Sequence, residues 1–296
     1  MKKLYFFSAV IIFLAIIFGY VFYRLYFVSP TKDAAVIQFE ITDGQSLPII
    51  IKNLQAQKLL ANPRFFKWYF KKGGLDKKIQ TGIFELQEDL SVKKLAEIIT
   101  NPETAEIKLT FLEGWNLRDY GRYLEGLGLF QAEELHELAG FPAVDFRQLL
   151  NQPTFEKKPF DGIDFLQDKP PYATLEGYLF PDTYFFKKHA TIKQIVEKML
   201  ENFERKFTPE LRAEIKRQKK DIFDIVRVAS LVEAEAREEK DRRLASDIIW
   251  RRLDLGMPLQ LDSTVNYLTG NKKPAISSAE QTIESPYNTY KYQGLP

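Results

Sequence analysis

VIQFEITDGQSLPIIIKNLQAQKLLANPRFFKWYFKKGGLDKKIQTGIFELQEDLSVKKLAEIITNP, residues 36–102, is the stretch that decides the architecture. Val36–Ile41 alternates apolar and polar residues, as a half-buried strand does. Gln45–Lys58 and Pro63–Lys72 read as helices, the second with Asn62 as N-cap, Pro63 at its first helical position and Gly73-Gly74 as its stop. Gly82–Leu86 is a second short strand. Ser91 then caps VKKLAEIIT, a helix that gathers Val92, Leu95, Ile98 and Ile99 on one face. Strands and helices mixed over so short a span predict a small α+β module ending near Asn101-Pro102.

Downstream the alternation continues. Ile107–Leu112 reads as a strand, Glu113-Gly114-Trp115 as a turn, and Leu117–Glu125 as a helix stopped by Gly126 and Gly128. Residues 151–172 hold several prolines without a clear period and read as an irregular loop. Thr191–Phe203 is an amphipathic helix that needs no explanation beyond packing. The fold class expected is α+β, in two units after the N-terminus.

Upstream, Leu4–Tyr23 is a run of twenty residues without formal charge, bracketed by Lys2-Lys3 and Arg24. A helix of that length is about 30 Å long, the thickness of a hydrocarbon core. The bulky exit FGYVFYRLYFVSP offers no small-residue cleavage site, which disfavours a signal peptide. The reading is a single transmembrane helix over 1–28, its N-terminus cytoplasmic and the rest of the chain outside.

The 296 residues carry 42 Lys plus Arg against 40 Asp plus Glu and no Cys. Disulfide frameworks, thiolate metal sites and a cysteine nucleophile are thereby excluded. Residues 1–24 hold three bases and no acid, leaving 39 bases against 40 acids elsewhere, an electroneutral bulk that argues against a nucleic-acid partner. His136 and His189 lie far apart in the chain with no metal-ligand spacing, Ser230 and Ser263 lack nucleophile-elbow glycines, and no phosphate-binding loop appears. No metal or other cofactor is expected.

Carboxylate chemistry remains. In DIFDIVRVASLVEAEA (221–236), a helical projection sets Glu233 within the arc of Ile222, Val226 and Ala229, and Glu235 on the other side. A carboxylate among apolar neighbours holds its proton more readily, as a general acid for glycosidic cleavage requires. The alternative is an ion pair with Arg237, one turn away. Behind the next helix, Lys240–Leu255, comes Asp262, which reads as a second carboxylate or as the cap of the helix that follows. Tyr178, Tyr184, Tyr287 and Asn288 suit a saccharide cleft or, equally, a core.

Four segments carry a family resemblance: LEGYLFPDTY (175–184), ASLVEAEA (229–236), RLASDIIWRRLDLGMPLQLDSTVNY (243–267) and SPYNTYKYQGLP (285–296). In order and spacing the chain resembles the MltG or YceG-like family of endolytic murein transglycosylases. The resemblance implies a LysM-like module over 36–102 and a mixed α+β catalytic domain over 106–296. It implies an inner-membrane enzyme that cuts peptidoglycan glycan strands internally, between N-acetylmuramic acid and N-acetylglucosamine, leaving a 1,6-anhydro end. Glu233 matches the family's catalytic glutamate. Gln260, Asp262, Tyr287, Asn288 and Thr289 match its cleft lining, and Glu176, Tyr178 and Asp182 belong to its third motif. Glycan strands are the implied substrate, with peptidoglycan synthases as further partners. Family members continue beyond the G-L-P, so the catalytic domain is expected to be C-terminally incomplete. A non-catalytic glycan-binding scaffold, and a hydrolase pairing Glu233 with Asp262, are the alternative readings.

Overall fold

The computed structural model describes residues 2–27, 35–60, 62–88, 90–143, 160, 162–271, 273 and 275–296. The polar stretch at 29–33 and residues 151–159 and 161 of the irregular loop expected at 151–172 lie outside them. The described chain divides into two compact units, one made of 1–109 with 183–190, the other of 110–182 with 191–296.

The first unit holds α1 (Lys2–Phe27), β1 (Val36–Ile41), α2 (Leu47–Ala56), α3 (Pro63–Lys72), β2 (Gly82–Gln87), α4 (Val92–Thr100), β3 (Glu106–Thr110) and β4 (Thr183–Lys187). Local chemistry sets the boundaries: the Asn62 side chain accepts the Phe65 N–H at 3.0 Å, and Ser91 Oγ accepts the Lys94 N–H at 3.2 Å. The sheet runs β1-β2-β3-β4. β1 and β2 are antiparallel with Phe39 opposite Phe84, and Ile83 of β2 faces Glu106 of β3. On one side of this pleat, Phe39, Phe84 and Leu86 bury against Leu54, Phe66, Phe70, Leu95 and Ile99. The Phe66 and Phe70 rings stack at 4.3 Å.

Two expectations need correction. Among the described residues no helix is long and apolar enough to cross a membrane. Residues 2–27 form one helix, α1. Among the described residues no LysM-like module is shown either. The two strands of residues 36–102 belong to a four-stranded sheet completed by β3 and by β4, which arrives from residues 183–187. The mixed helix and strand content itself is as the sequence predicts.

Among the described residues the long regular elements of the second unit are helices: α5 (Leu117–Gly126), α6 (Ala132–Ala139), α7 (Ile192–Lys206), α8 (Pro209–Arg217), α9 (Ile222–Glu235), α10 (Glu239–Asp254) and α11 (Asp262–Thr269). Asn116 starts α5 in a reciprocal box with Asp119, and Thr191 starts α7 in another with Gln194. Tyr178 packs between Phe165 and Phe203, with ring centroids 6.2 and 5.3 Å away. A separate cluster joins Val228 and Leu231 of α9 to Ile249 of α10 and to Leu259.

Phe84 is fully buried at the middle of its strand. Replacing it by Ala is expected to destabilise the first unit by about 3–5 kcal/mol, whereas Val36→Ala, at an exposed position of β1, should cost under about 0.5 kcal/mol. Urea unfolding of the two variants measures the contrast.

Candidate functional site

A cavity of about 1010 Å³ opens in the second unit. Its walls come from the start of α5, the turn at 172–177, the face of α9 that carries Val226, Ser230 and Glu233, the start of α11, and the segment from Pro286 onward. One glycine makes this assembly possible. Gly177 has a φ of +82°, and a Cβ there would stand 2.7 Å from Val226 Cγ1, so only a residue without a side chain lets the turn lie against α9.

Glu233 lines the cavity and is exposed. The apolar surround expected of it is not found. Of the three apolar residues that the helical projection sets beside it, Val226 is buried and lines the cavity, Ile222 is half-buried and Ala229 is exposed, while Val228 and Leu231 pack in a separate cluster. Nor is the ion pair with Arg237 formed. Among the described residues Glu233 has no hydrogen-bonding or charged partner, which leaves its carboxyl available to a ligand. Glu235 lines the same cavity.

The carboxyl withdrawn from water is that of Glu176. Its Oε1 accepts the Leu117 N–H at 3.1 Å and its Oε2 the Tyr267 O–H at 2.9 Å. Burial pushes its pKa up from 4.5 to about 7; the bonds from Tyr267 and Leu117 and the Arg118 charge oppose the rise, and Asp119 adds to it. Burial, followed by the Glu176 charge, likewise raises the Tyr267 hydroxyl well above its ordinary value. Tyr267 packs on Tyr287 at 5.4 Å, and Arg118 Nη1 donates to the Tyr267 carbonyl at 3.2 Å.

Asp262 also lines the cavity, as the first residue of α11. It does not cap that helix; its Oδ1 accepts the Tyr290 O–H at 2.6 Å, and this bond pushes the Tyr290 hydroxyl up to about 12. Tyr287 lines the cavity too. The remaining motif residues serve the frame. Asn288 is fully buried and donates to the carbonyls of Gln281 and Ile283, while Thr289 Oγ1 accepts the Leu261 N–H at 3.0 Å. Tyr178 is fully buried in the aromatic core, and Tyr184 is a buried residue of β4. Asp182 is exposed and accepts from Asn202 Nδ2 at 3.0 Å, away from the cavity. Gln260 is exposed at a φ of +53°, and its N–H donates to the Thr289 carbonyl. Glu233, Asp262, Tyr287 and Glu176 are therefore brought together, and Gln260, Asn288, Thr289, Tyr178 and Asp182 are not part of the wall.

Trp115, Arg118 and Tyr267 are wall residues that the sequence reading passed over. Trp115 stood in a turn directly before the Asn116 cap, and a large aromatic at a helix N-terminus was the available signal. Tyr267 closed a quoted motif but lacked a partner until Glu176, 91 residues away, was seen beside it.

The raised pKa of Glu176 has a definite sign. Protonation favours the folded state, so its stabilising effect is full below about 4.5 and is lost as pH rises through about 7, at most ~3 kcal/mol in all. Thermal melting of Glu176→Gln should match the wild type near pH 5 and exceed it near pH 8. A parallel pH dependence in both proteins would remove Glu176 as the cause.

Residues 39–296 match the sequence pattern of the YceG-like family. An endolytic murein transglycosylase of Bacillus subtilis is 27% identical over 268 residues, covering 89% of this chain and 72% of that protein. One of Streptococcus pneumoniae is 28% identical over 282 residues, covering 86% of this chain and 48% of its own, so the chain spans about half the length of that relative. A crystal structure of a yceG-like protein from Listeria monocytogenes superposes with a TM-score of 0.54 at 27% identity, over 88% of this chain and 84% of that one. With the family pattern matched over nearly the whole sequence, the chain belongs to the YceG-like family.

Proposed function

We propose that the protein is an endolytic murein transglycosylase, cleaving the bond between N-acetylmuramic acid and N-acetylglucosamine within peptidoglycan strands. The observation that carries this reading is Glu233, unpartnered among the described residues on the wall of a large cavity, in a chain whose curated relatives bear that name. A glycan strand laid across the cavity would cover Glu233 and give it the dry surroundings a proton donor needs.

The chemistry asks for one carboxyl group. Glu233 protonates the glycosidic oxygen, and the C1–O4 bond breaks to leave an oxocarbenium-like muramic ring. The C6 hydroxyl of the same sugar attacks C1 and passes its proton to the Glu233 carboxylate. One C–O bond is lost, one is formed, the acid is regenerated and no water is consumed. Intramolecular attack needs no activated water, so a second free carboxylate is unnecessary. Asp262 fits that economy, because one of its oxygens is already engaged by Tyr290. Trp115 and Tyr287 offer aromatic surface for sugar faces.

This reading locates the protein on the outer side of the cell membrane, where glycan strands are assembled, and makes the peptidoglycan synthases its working partners. Mass spectrometry of digested glycan strands tests it: the wild type should yield 1,6-anhydro ends, and Glu233→Gln should lose at least about 100-fold in rate. The thermal stability of that variant should change by less than about 0.5 kcal/mol, since the residue is exposed. Reducing ends in place of anhydro ends would assign hydrolysis, and binding without cleavage a scaffold.

A further inference from the structure

Residues 63–78 hold six cations, Arg64, Lys67, Lys71, Lys72, Lys77 and Lys78, against one carboxylate, Asp76. The segment is thus +5, while the other 280 residues, with 36 bases and 39 acids, are −3. The structure sorts these charges onto one side. At about 100° per residue, Arg64, Lys67, Trp68, Lys71 and Lys72 of α3 share an arc of about 140°. Phe66 and Phe70 occupy the opposite side and are fully buried in the core of the first unit. The Asn62 cap and the stacked phenylalanines therefore hold the basic face rigidly outward.

Two details distinguish this face from an ordinary solvated one. Among the described residues Lys71 alone is bonded to a carboxylate, Asp76 at 2.7 Å, whose charge Lys77 also senses, while Arg64, Lys67, Lys72, Lys77 and Lys78 are exposed without an ion-pair partner. Trp68 stands among them 52% exposed, its ring backed by Phe65 at 5.5 Å and by Lys72 Nζ at 5.0 Å. An exposed indole ringed by cations suits the headgroup zone of a bilayer, where the ring lies in the interface and the ammonium groups meet phosphate.

We propose that the outer face of α3 is a docking surface for an anionic phospholipid bilayer, with Trp68 seated among the headgroups and the cations over the lipid phosphates. It adsorbs from one side and spans nothing. A soluble polyanion would use the same cations but would gain little from Trp68, so the indole decides between them.

The test uses the full chain in co-sedimentation with phosphatidylcholine vesicles, with and without phosphatidylglycerol. The wild type should bind the anionic vesicles about tenfold more tightly than the neutral ones, and the difference should shrink as salt rises from about 0.1 to 0.5 M. The double variant Lys67→Glu/Lys72→Glu should lose that preference. Trp68→Ala should weaken binding to anionic vesicles several-fold, and the blue shift of tryptophan fluorescence on binding should disappear in Trp68→Phe, which retains Trp115 and Trp250. All these positions are exposed, and unchanged melting temperatures would verify that each variant folds. Undiminished binding by the charge-reversed protein would overturn the proposal by assigning adsorption to another segment. Equal binding by Trp68→Ala, together with displacement of the wild type by soluble polyphosphate, would overturn it in favour of simple charge recognition.

Discussion

A carboxyl group removed from water must find donors, and in the second unit that requirement falls on Glu176. Its two oxygens gather the Leu117 N–H from the start of α5 and the Tyr267 O–H from α11, groups 59 and 91 residues away in sequence. Leaving such a group unpaired would cost on the order of 1–3 kcal/mol, more if it were charged. The next residue, Gly177, lets the same turn lie against Val226 of α9. One turn of chain thereby fixes three walls of the cavity. The helix that carries Glu233 is placed by those walls and not by contacts of Glu233 itself.

Among the carboxyl groups that line the cavity, three stand in three different conditions. Glu176 is desolvated and hydrogen-bonded, Asp262 is engaged by a phenol, and Glu233 is exposed without a partner among the described residues. Rigidity and reactivity are divided among them. A group that holds walls together must keep its bonds throughout a reaction cycle, whereas a proton donor must be able to exchange its own.

Much of the fold could be read locally. Asn62, Ser91 and Thr191 announce their helices because a cap is a bond to a backbone N–H two or three residues on. The strand expected from Ile107 was legible for a similar reason, since the alternation of Ile107, Leu109 and Phe111 is a property of neighbouring residues. What could not be read was long-range. No local pattern says that residues 183–187 complete a sheet begun at residue 36, so residues 36–102 looked like a self-contained module. In the site, motif order singled out Glu233, but the projection of α9 could not show that its carboxyl is exposed on a cavity wall, because a position on a helix does not say what packs opposite. Asn288, Thr289 and Tyr178 sit in motifs and yet are framework: a sequence pattern records that a residue type is required, and packing decides for what.

The route of the chain through the sheet has a consequence for how the molecule is made. β4 enters the first unit only after 182 residues have been laid down, and the intervening segment belongs to the second unit. Until then β3 presents a row of unsatisfied N–H and C=O groups along one side, a template for any extended segment nearby. Emerging from the ribosome, the first unit must wait with that side open while much of the second is synthesised. The exposure is temporal as well as spatial, and a pause in translation between residues 110 and 183 would prolong it. The same interleaving means that cutting the gene after β3 would not isolate a finished domain but would leave one edge of that strand permanently unpaired.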